Sequence, residues 1–513
     1  MGRHGCSGSW RRGTCRRWPR DGSDRLIELE LSLPPDQASR LPRLRRLTPI
    51  KTSRTRNQPI RIVWHDTPGA DLLRDGLAAA EQRGAWRLER VLPDGGPWPP
   101  GAPALVIAEA ASPVLLDLPV LAAMMPVAAF EGRAIAVELR HRDEPVELRI
   151  LDGTVRGVTA ERRAARVQIT GAAGAAVDLA LDLADDMPLS VPRSALASEA
   201  IGVAQVAEPE PRRLGAPTML AELSVPAAFA HITGHLTDVM LHWGAWIAEG
   251  SDALEPVHQM RVAMRRLRSA VAQFPAADGA PMLDAARHGL KALAGVLGPA
   301  RDWDVFCSET GQAVGEAFTP EAQIGKLLAA AERRRAEHYR TLRTHLDGAG
   351  YRKLMIRLAA LSRPGSWEEA AGPERHDTLA RSLPDFAADV LSKRLKRLLQ
   401  EGETIDHLEP PVLHEIRLRG KRMRYAAELF GPLFPGKAPR RFIRRLTELQ
   451  EVIGVLNDGA VAAQLMAELG GTGAERAFAV GVVRGFVAGR GAAHRREIAL
   501  AWKRFRRTAA FWG

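Results

Sequence analysis

An internal repeat in the second half of the chain constrains the fold more than any other feature of this sequence. The segment HQMRVAMRRLR at 258–268 is echoed by HEIRLRGKRMR at 414–424, an offset of 156 residues. The same offset, with no gap, relates four further pairs: Phe274 and Phe430, Leu293 and Leu449, Gly298 and Gly454, and Asp302 and Asp458. Because a shared offset over about 45 positions is hard to produce by chance, the chain is predicted to contain two copies of one helical unit.

Each copy predicts a helix with cations along one face and apolar side chains along the other. At 100° per residue, the cations of the first copy fall within an arc of about 80°, opposite Met260, Met264 and Leu267. The second copy repeats this arrangement, with Ile416 and Met423 on its apolar side. The residues of this polar, mainly cationic face are His258, Arg261, Arg265 and Arg268 in the first copy, and His414, Arg417, Lys421 and Arg424 in the second.

The two cationic rows indicate an anionic ligand. No carboxylate stands within either cationic row to relieve the repulsion, although a Glu four residues from an Arg is the usual stabilising arrangement. Arg can bind phosphate oxygens through two parallel hydrogen bonds, and Lys acts as a point charge. A solvated basic face without a ligand is the alternative, which the second copy at the same spacing disfavours. His258 and His414 could equally be core or capping residues, and Asp302 and Asp458 are predicted to cap new helices.

The formal net charge of +12 is concentrated in the helical half of the chain. Residues 223–513 carry 42 Lys and Arg against 32 Asp and Glu, whereas residues 25–205 carry 22 against 23. A local excess of this size points to a polyanionic partner, and nucleic acid, phosphate polymers and anionic membranes all qualify. No apolar stretch is long enough to cross a bilayer, so no membrane partner is expected. The three cysteines lack metal-binding spacing and fit a reducing compartment, so a cytoplasmic location is expected.

Changes in residue pattern along the chain predict its domain organisation. Short alternating runs in the first part are typical of strands, and Asp152-Gly153 between two such runs predicts a hairpin turn. Strand patterns end before the repeat, where long stretches rich in Ala, Leu, Arg and Glu take over. The predicted segments are a disordered basic tail at 1–24, a mixed α/β domain at 25–205, a linker at 206–222 and an all-helical domain at 223–513, with repeats at about 223–375 and 376–513.

The repeated motif resembles the CHAD domain family. Both copies fit the pattern HxxRxxx(R/K)RxR, each is followed by (L/I)G…(R/N)D, and the resemblance covers about 223–513. It implies an all-α bundle made of two repeated helical halves, with a basic groove that binds inorganic polyphosphate. By matching positions, the implied polyphosphate contacts are His258, Arg261, Arg265, Arg266, Arg268, His414, Arg417, Lys421, Arg422, Arg424 and Tyr425.

The run IELELSLPP at 27–35, with HDTP at 65–68 and LRDGL at 73–77, gives the first half a resemblance to the CYTH domain, the triphosphate tunnel fold. The resemblance implies an α+β domain with an antiparallel β-barrel, in which carboxylates hold divalent metal and cations hold triphosphate. If the tunnel is active, Mg²⁺ or Mn²⁺ is implied at Glu28, Glu30 and Asp152.

Several positions depart from the CYTH pattern. Ser32 stands where the opening motif of the family has Lys, and Ala80 and Gln82 stand where it has a pair of Arg residues. A later strand of the family carries three alternating carboxylates, and Ala164, Arg166 and Gln168 align there. Because metal-dependent phosphoryl hydrolysis needs several hard carboxylate oxygens, Glu28 and Glu30 facing Arg166 make a poor metal site. The departures therefore predict a degenerate tunnel.

The leading hypothesis is a polyphosphate-binding protein that needs no cofactor and whose CYTH-like half has lost catalysis, with association with polyphosphate granules as a corollary. The first alternative is a metal-dependent inorganic triphosphatase, a hydrolase acting on phosphoanhydride bonds, with a CHAD binding module. The second is a general polyanion or nucleic-acid binder, which is disfavoured because the basic helices lack interleaved aromatic residues for base stacking. The sequence leaves the oligomeric state and the preferred polyphosphate chain length open.

Overall fold

The computed structural model describes residues 26–74, 76–90, 105–109, 124–205, 215–274, 281–319, 321–363, 377–402, 405, 410–469, 473–493 and 495–513. These residues form an N-terminal antiparallel half-barrel sheet followed by a mostly helical region, in agreement with the predicted change from strand patterns to helical patterns. The predicted tail at 1–24 and residues 206–214 of the predicted linker lie outside the described residues.

Among the described residues, eight antiparallel strands form the N-terminal sheet, in the spatial order β1-β8-β7-β6-β2-β3-β4-β5. The strands are β1 Leu26–Ser32, β2 Arg56–Asp66, β3 Leu77–Gln82, β4 Ala85–Arg90, β5 Leu105–Glu109, β6 Met125–His141, β7 Glu144–Arg156 and β8 Glu161–Ala172. Within the described residues β1 and β5 are the two edges and do not pair with each other. Closure into a complete barrel therefore stays a prediction.

The two faces of the sheet are covered by different helices. Successive side chains of a strand point to opposite faces, so alternate residues of β1, such as Leu29, pack against helix α2 at Ala173–Asp186. The other, concave face buries Trp64 and Phe130 beneath helix α3 at Leu196–Gln205. The concave face therefore holds an apolar helix over part of its area.

The predicted hairpin turn at Asp152-Gly153 is wrong, because both residues lie inside β7. The turn lies earlier, at Arg142 and Asp143, which both have positive φ. Gly153 pairs across the sheet with Gly132, and a Cβ atom on either would overlap the backbone of the neighbouring strand. The glycine therefore permits a close approach of two strands, which is the other common reason for glycine inside a strand.

Helices make up nearly all of the described chain after residue 224. A short helix α1, Asp71–Arg74, precedes them in the N-terminal part, and a π-helix, Phe306–Gly311, interrupts the helical region between α6 and α7. The helices are α4 Val225–Ala248, α5 Leu254–Val271, α6 Pro281–Val305, α7 Gln312–Ala317, α8 Ala322–Asp347, α9 Ala349–Leu361, α10 Leu383–Glu401, α11 Pro410–Phe430, α12 Ala438–Leu469, α13 Ala474–Ala493 and α14 Arg495–Arg506.

Helices α5 and α11 carry the two cationic segments, and they lie against each other in the structure. Phe274 and Phe430, one of the pairs related by the offset of 156, have ring centroids 6.4 Å apart in the shared core. Ser224 and Ser382 form a backbone bridge, and the hydroxyl group of each accepts a hydrogen bond at the start of the helix that it caps. These contacts join residues from the two predicted repeats, and the duplication itself stays a prediction.

The predicted capping role of Asp302 and Asp458 is wrong. Asp302 lies four residues from the start of the π-helix, inside the last turns of α6, and Asp458 lies in the middle of α12. The sequence (L/I)G…(R/N)D therefore continues a helix instead of starting one. The Asp302 carboxylate instead accepts a hydrogen bond from another helix, as described below.

The sheet and the helical region share one hydrophobic core. Helix α9 packs on α2, where Lys353 forms an ion pair with Asp185. Within the described chain, no single helix combines the length and the apolar character of a membrane span. One bent pair, Ala438–Gly454 with Gly459–Leu469, meets that test by length and composition.

Candidate polyanion-binding site

A cavity of about 630 Å³ lies where α5 and α11 meet α6, α12 and α13. Its cationic side comes from the two repeated segments and from one further arginine, Arg301, at the end of α6. We call it the cationic cavity. Five of the predicted polyphosphate contacts line it: His258, Arg261, Arg265, Arg417 and Lys421.

Arg265 and Lys421 line the cavity from the two repeated segments, one from each. Both side chains are half-buried, and neither has a carboxylate partner among the residues that the structure describes. Burial, reinforced by Arg417 and Arg265, lowers the pKa of Lys421 to about 7. Burial also lowers the pKa of Arg265, and its buried Nε has no hydrogen-bond partner in the described structure. An anion in the cavity would relieve this cost, because unpaired buried charge is unfavourable.

Arg261 is held in place by the end of α6. Its Nη1 donates to the carbonyl oxygen of Gly298 at 3.1 Å and to a carboxylate oxygen of Asp302 at 3.3 Å. The offset of 156 relates Gly298 and Asp302 to Gly454 and Asp458, and Arg261 to Arg417. Part of the repeated motif therefore serves to fix an arginine at the rim of the cavity.

Arg266 and Arg424 do not line the cavity, although the resemblance implies that they contact polyphosphate. Both approach the carboxylate of Glu428, at 3.5 Å and 3.7 Å respectively. Tyr425 lies beside them, with the guanidinium carbons of Arg265 and Arg424 at 5.9 Å and 5.4 Å from its ring centroid. The hydroxyl group of Tyr425 is buried without a hydrogen-bond partner in the described structure. Glu428 thus offsets part of the repulsion between the cations of the two helices.

The three remaining predicted contacts lie on the outer surface. Arg268, His414 and Arg422 are exposed and do not line the cationic cavity. Arg422 instead lies near Arg394 of α10, whose pKa burial and the charge of Arg422 lower to about 10. These residues could meet a long polyanion only outside the cavity.

Arg301 is a residue that the motif comparison did not select. It lines the cavity, and its charge adds to burial in lowering the pKa of His258. The signal was present in the sequence, because Arg301 is the first letter of the (R/N)D element that follows each cationic segment. The π-helix after it brings Glu309 and Thr310 to the same cavity, and such helical irregularities are frequent at functional sites.

A second, smaller cavity of about 190 Å³ lies on the concave face of the N-terminal sheet. Glu28 and Glu30 line it, together with a third carboxylate, Glu89, that the sequence comparison did not select. Burial raises the pKa of all three carboxyl groups. Arg87 and Arg149 also line this cavity, which we call the sheet cavity.

The donors of the sheet cavity do not fit a Mg²⁺ or Mn²⁺ site. Glu30 is paired with Arg166, whose Nε lies 3.3 Å from its Oε1, and Arg166 also pairs with Glu199 of α3. Asp152 lies on the opposite face of β7 from the sheet cavity, where Arg163 contacts it at 2.6 Å. In the described part of the chain, no group of three or more His, Cys, Asp or Glu side chains is arranged to hold a metal ion.

Comparison with known proteins identifies the helical region. The CHAD domain family profile matches residues 230–467, so this part of the chain contains a CHAD domain, as the motif predicted. An uncharacterized protein of Mycobacterium tuberculosis, in strains CDC 1551 / Oshkosh and ATCC 25618 / H37Rv, is 30% identical over 190 residues. That match spans 35% of this chain and 35% of the curated relative, so about two thirds of the relative is not covered.

Two solved structures are also similar to the chain. The CHAD domain from the plant Ricinus communis is 28% identical, covering 57% of this chain and 96% of that chain with a TM-score of 0.49. PptA from Streptomyces chartreusis is 16% identical, covering 55% of this chain and 100% of that chain with a TM-score of 0.43.

Proposed function

We propose that the CHAD domain at residues 230–467 binds inorganic polyphosphate in the cationic cavity, and that both repeated halves contribute to this one site. The observation that carries the proposal is the pair Arg265 and Lys421, which are half-buried side by side with no carboxylate partner in the described structure. Each belongs to one copy of the repeated motif. A polymer of phosphate groups supplies closely spaced negative charges to both, and the arginines can bind its oxygens through paired hydrogen bonds.

Polyphosphate fits the cavity better than nucleic acid does. Among the described residues that line it, the one Phe, Tyr or Trp is Phe306, which is 2% exposed and therefore offers almost no surface for base stacking. A ligand held by phosphate contacts alone needs no base or sugar. Long-chain polyphosphate should therefore displace single-stranded DNA from the protein at matched phosphate concentration and salt. Stronger binding of the DNA would contradict the assignment.

The direct test is a polyphosphate titration over a range of salt concentrations. The variant R265Q/K421Q removes both cavity cations, and R440Q/R441Q removes two exposed cations of α12 as a matched control. We expect the cavity variant to lose about hundredfold or more in affinity, because hydrogen bonds to charged groups contribute about 1.5–3 kcal/mol each. The slope of its salt dependence should also fall by about 1.4 to 1.8, and the control should change little. Equal losses in both variants, with unchanged helical circular dichroism, would place the site elsewhere.

Binding is proposed to need no metal ion, since the cavity itself supplies the positive charge. Affinity measured with EDTA should equal the affinity measured without it. A large loss on chelation would mean that a divalent cation bridges the phosphate to Asp302 or Glu309, the carboxylates at the cavity. We also propose a cytoplasmic location with association with polyphosphate granules, which imaging of the tagged full chain in a polyphosphate-accumulating cell would test.

We further propose that the N-terminal half is a degenerate CYTH domain that acts as a scaffold for the helical region. Arg166 neutralises Glu30, and α3 covers the concave face where a substrate would have to enter. The shared core with the helical region gives the sheet a structural role. With triphosphate and Mg²⁺ or Mn²⁺, the full chain should release no more phosphate than the variant E28Q/E30Q does.

A metal-dependent triphosphatase is the alternative function of the N-terminal half. It is favoured by one observation, the grouping of Glu28, Glu30 and Glu89 with Arg87 and Arg149 around the sheet cavity. Metal-dependent phosphate release that disappears in E28Q/E30Q and persists in R265Q/K421Q would establish this activity. Such a result would leave polyphosphate binding by the CHAD domain intact, because the two variants alter separate cavities.

A further inference from the structure

The cationic cavity has two chemically different sides. Cations from α5, α6 and α11 form one side, as described above. The other side is apolar and comes from the π-helix, α12 and α13, with the residues Phe306, Val461, Ala462, Leu465 and Val487. A polyphosphate chain has no apolar part, so this second side cannot be explained as a binding surface for phosphate.

The apolar side is the surface of a second buried core. Phe306, Ala462, Leu465 and Val487 are each at most 8% exposed, and they pack in one cluster with Trp303. That cluster joins the π-helix to α12 and α13, so the described residues close the cavity on this side. On the flank of the cavity formed by α6 and the π-helix, Asp302 is paired with Arg261, and the carboxylate of Glu309 repels a polyanion that passes beside it.

A linear polyanion can therefore enter the cavity but cannot pass through the wall opposite its cations. A chain that entered and folded back would bring its own negative charges together inside a partly buried space, which is unfavourable. A chain that ends in the cavity avoids this cost. We infer that the cationic cavity holds the terminal phosphate of a polyphosphate chain rather than a stretch from its middle, an inference that rests on the proposed function.

The charges of the cavity suit a chain end. A terminal phosphate carries about −1.5 to −2 charges near neutral pH, as a phosphate monoester does, because its second ionisation lies near pH 6. An internal unit has one ionised oxygen. Arg265 and Lys421 face the cavity from two helices, and burial lowers the pKa of both. A terminal phosphate, which carries more negative charge, therefore stabilises their charged forms more than an internal unit does. Exposed cations such as Arg268 and Arg422 are then free to meet the remainder of the chain.

The test compares chains with free and with blocked ends by titration calorimetry of the full-length protein. The ligands are tripolyphosphate, two polyphosphate preparations of different mean length, and the longer preparation with both terminal phosphates converted to alkyl phosphoramidates. We expect one protein to bind per free end of the two long preparations and one per tripolyphosphate, whose two ends lie too close together for two proteins. Blocked ends should weaken binding by about tenfold or more. In R265Q/K421Q the free and the blocked chains should bind alike.

Equal affinity for free and blocked chains in the unaltered protein would overturn the inference. A number of bound proteins that rises in proportion to chain length would also overturn it, since that is the behaviour of a site that recognises internal units. Neither result would touch the proposed function, because polyphosphate would still bind through Arg265 and Lys421. Failure of every free-end ligand to bind would instead refute the proposed function itself.

Discussion

Arg166 and Glu30 form an ion pair inside the N-terminal sheet, with Nε of the arginine 3.3 Å from Oε1 of the glutamate. The side chains are 7% and 3% exposed, so the pair is buried. The register of β1 against β8 sets Arg166 opposite Ser32, one pleat beyond Glu30 and Gln168. One arginine at this position neutralises a carboxylate that a metal ion would need, and it connects the sheet to Glu199 of α3.

Replacing Arg166 by Met should destabilise the protein by about 3–5 kcal/mol, because it leaves buried carboxylates without their cation. Burial raises the pKa of Glu30 and Arg166 opposes that shift, so the substitution raises this pKa further. A carboxyl group whose pKa is raised in the folded state destabilises the fold less at low pH, where it is protonated. The loss of unfolding free energy should therefore be smaller at about pH 5 than at about pH 8. Urea unfolding at both pH values measures this. The triple variant R166M/E30Q/E199Q should recover most of the stability, and a loss independent of pH would show that packing, not charge, dominates.

The affinity for polyphosphate should fall as the pH rises above about 7, where free Lys421 loses its proton. Bound phosphate raises the pKa of this amine, so binding is accompanied by uptake of a proton. The affinity therefore falls by up to about tenfold per pH unit until the pH exceeds the pKa of Lys421 in the complex. Burial lowers the pKa of His258 as well, so this imidazole stays neutral across the alkaline range. Titrations from about pH 7.5 to 9 at constant ionic strength measure the slope. K421R keeps its charge and should bind with little pH dependence; equal slopes in both proteins would contradict the role of Lys421.

Arg301 should contribute to binding even though it is not among the polyphosphate contacts that the resemblance implies. The variant R301Q removes a cation from the cavity wall and should weaken polyphosphate binding by about tenfold, the effect of one charged hydrogen bond. Because the charge of Arg301 helps to lower the pKa of His258, the same variant should raise that pKa. Histidine NMR titration of the free protein detects this shift. An unchanged pKa of His258 together with unchanged affinity would show that Arg301 faces away from the site in solution.

The cationic segments could be located from the sequence because they depend on local periodicity. His258, Arg261 and Arg265 recur at helical spacing, so their common face follows from the geometry of one helix. The separation of the eleven predicted contacts into five that line the cavity and six that do not depends on contacts between helices. Glu428 contacts both Arg266 and Arg424. Its contact with Arg424 spans one turn of the same helix, whereas its contact with Arg266 requires the packing of α11 on α5.

In the N-terminal half, the sequence predicted the strand β1 and the approach of Arg166 to the carboxylates. It did not predict α3 on the concave face, because the short segment Leu196–Gln205 carries no signal for where it packs. Glu199 and Glu89 were missed for the same reason, since each acts through residues distant in the chain. Asp152 was assigned to the metal site without knowledge of the strand register, which places it on the other face of β7.

The pairing of Gly132 with Gly153 predicts that alanine is poorly tolerated there. A Cβ atom at Gly153 would overlap the carbonyl oxygen of Glu131 and lie 2.8 Å from Cζ of Phe130, so the strands must separate or Phe130 must move. We expect G153A to destabilise the protein by about 1–3 kcal/mol, as for other overpacked sites. The matched control is G174A in helix α2, where no atom lies within 4 Å of the added Cβ and stability should rise by up to about 1 kcal/mol. Urea unfolding of the two variants measures the contrast, and a neutral G153A would mean that β6 and β7 separate easily at this point.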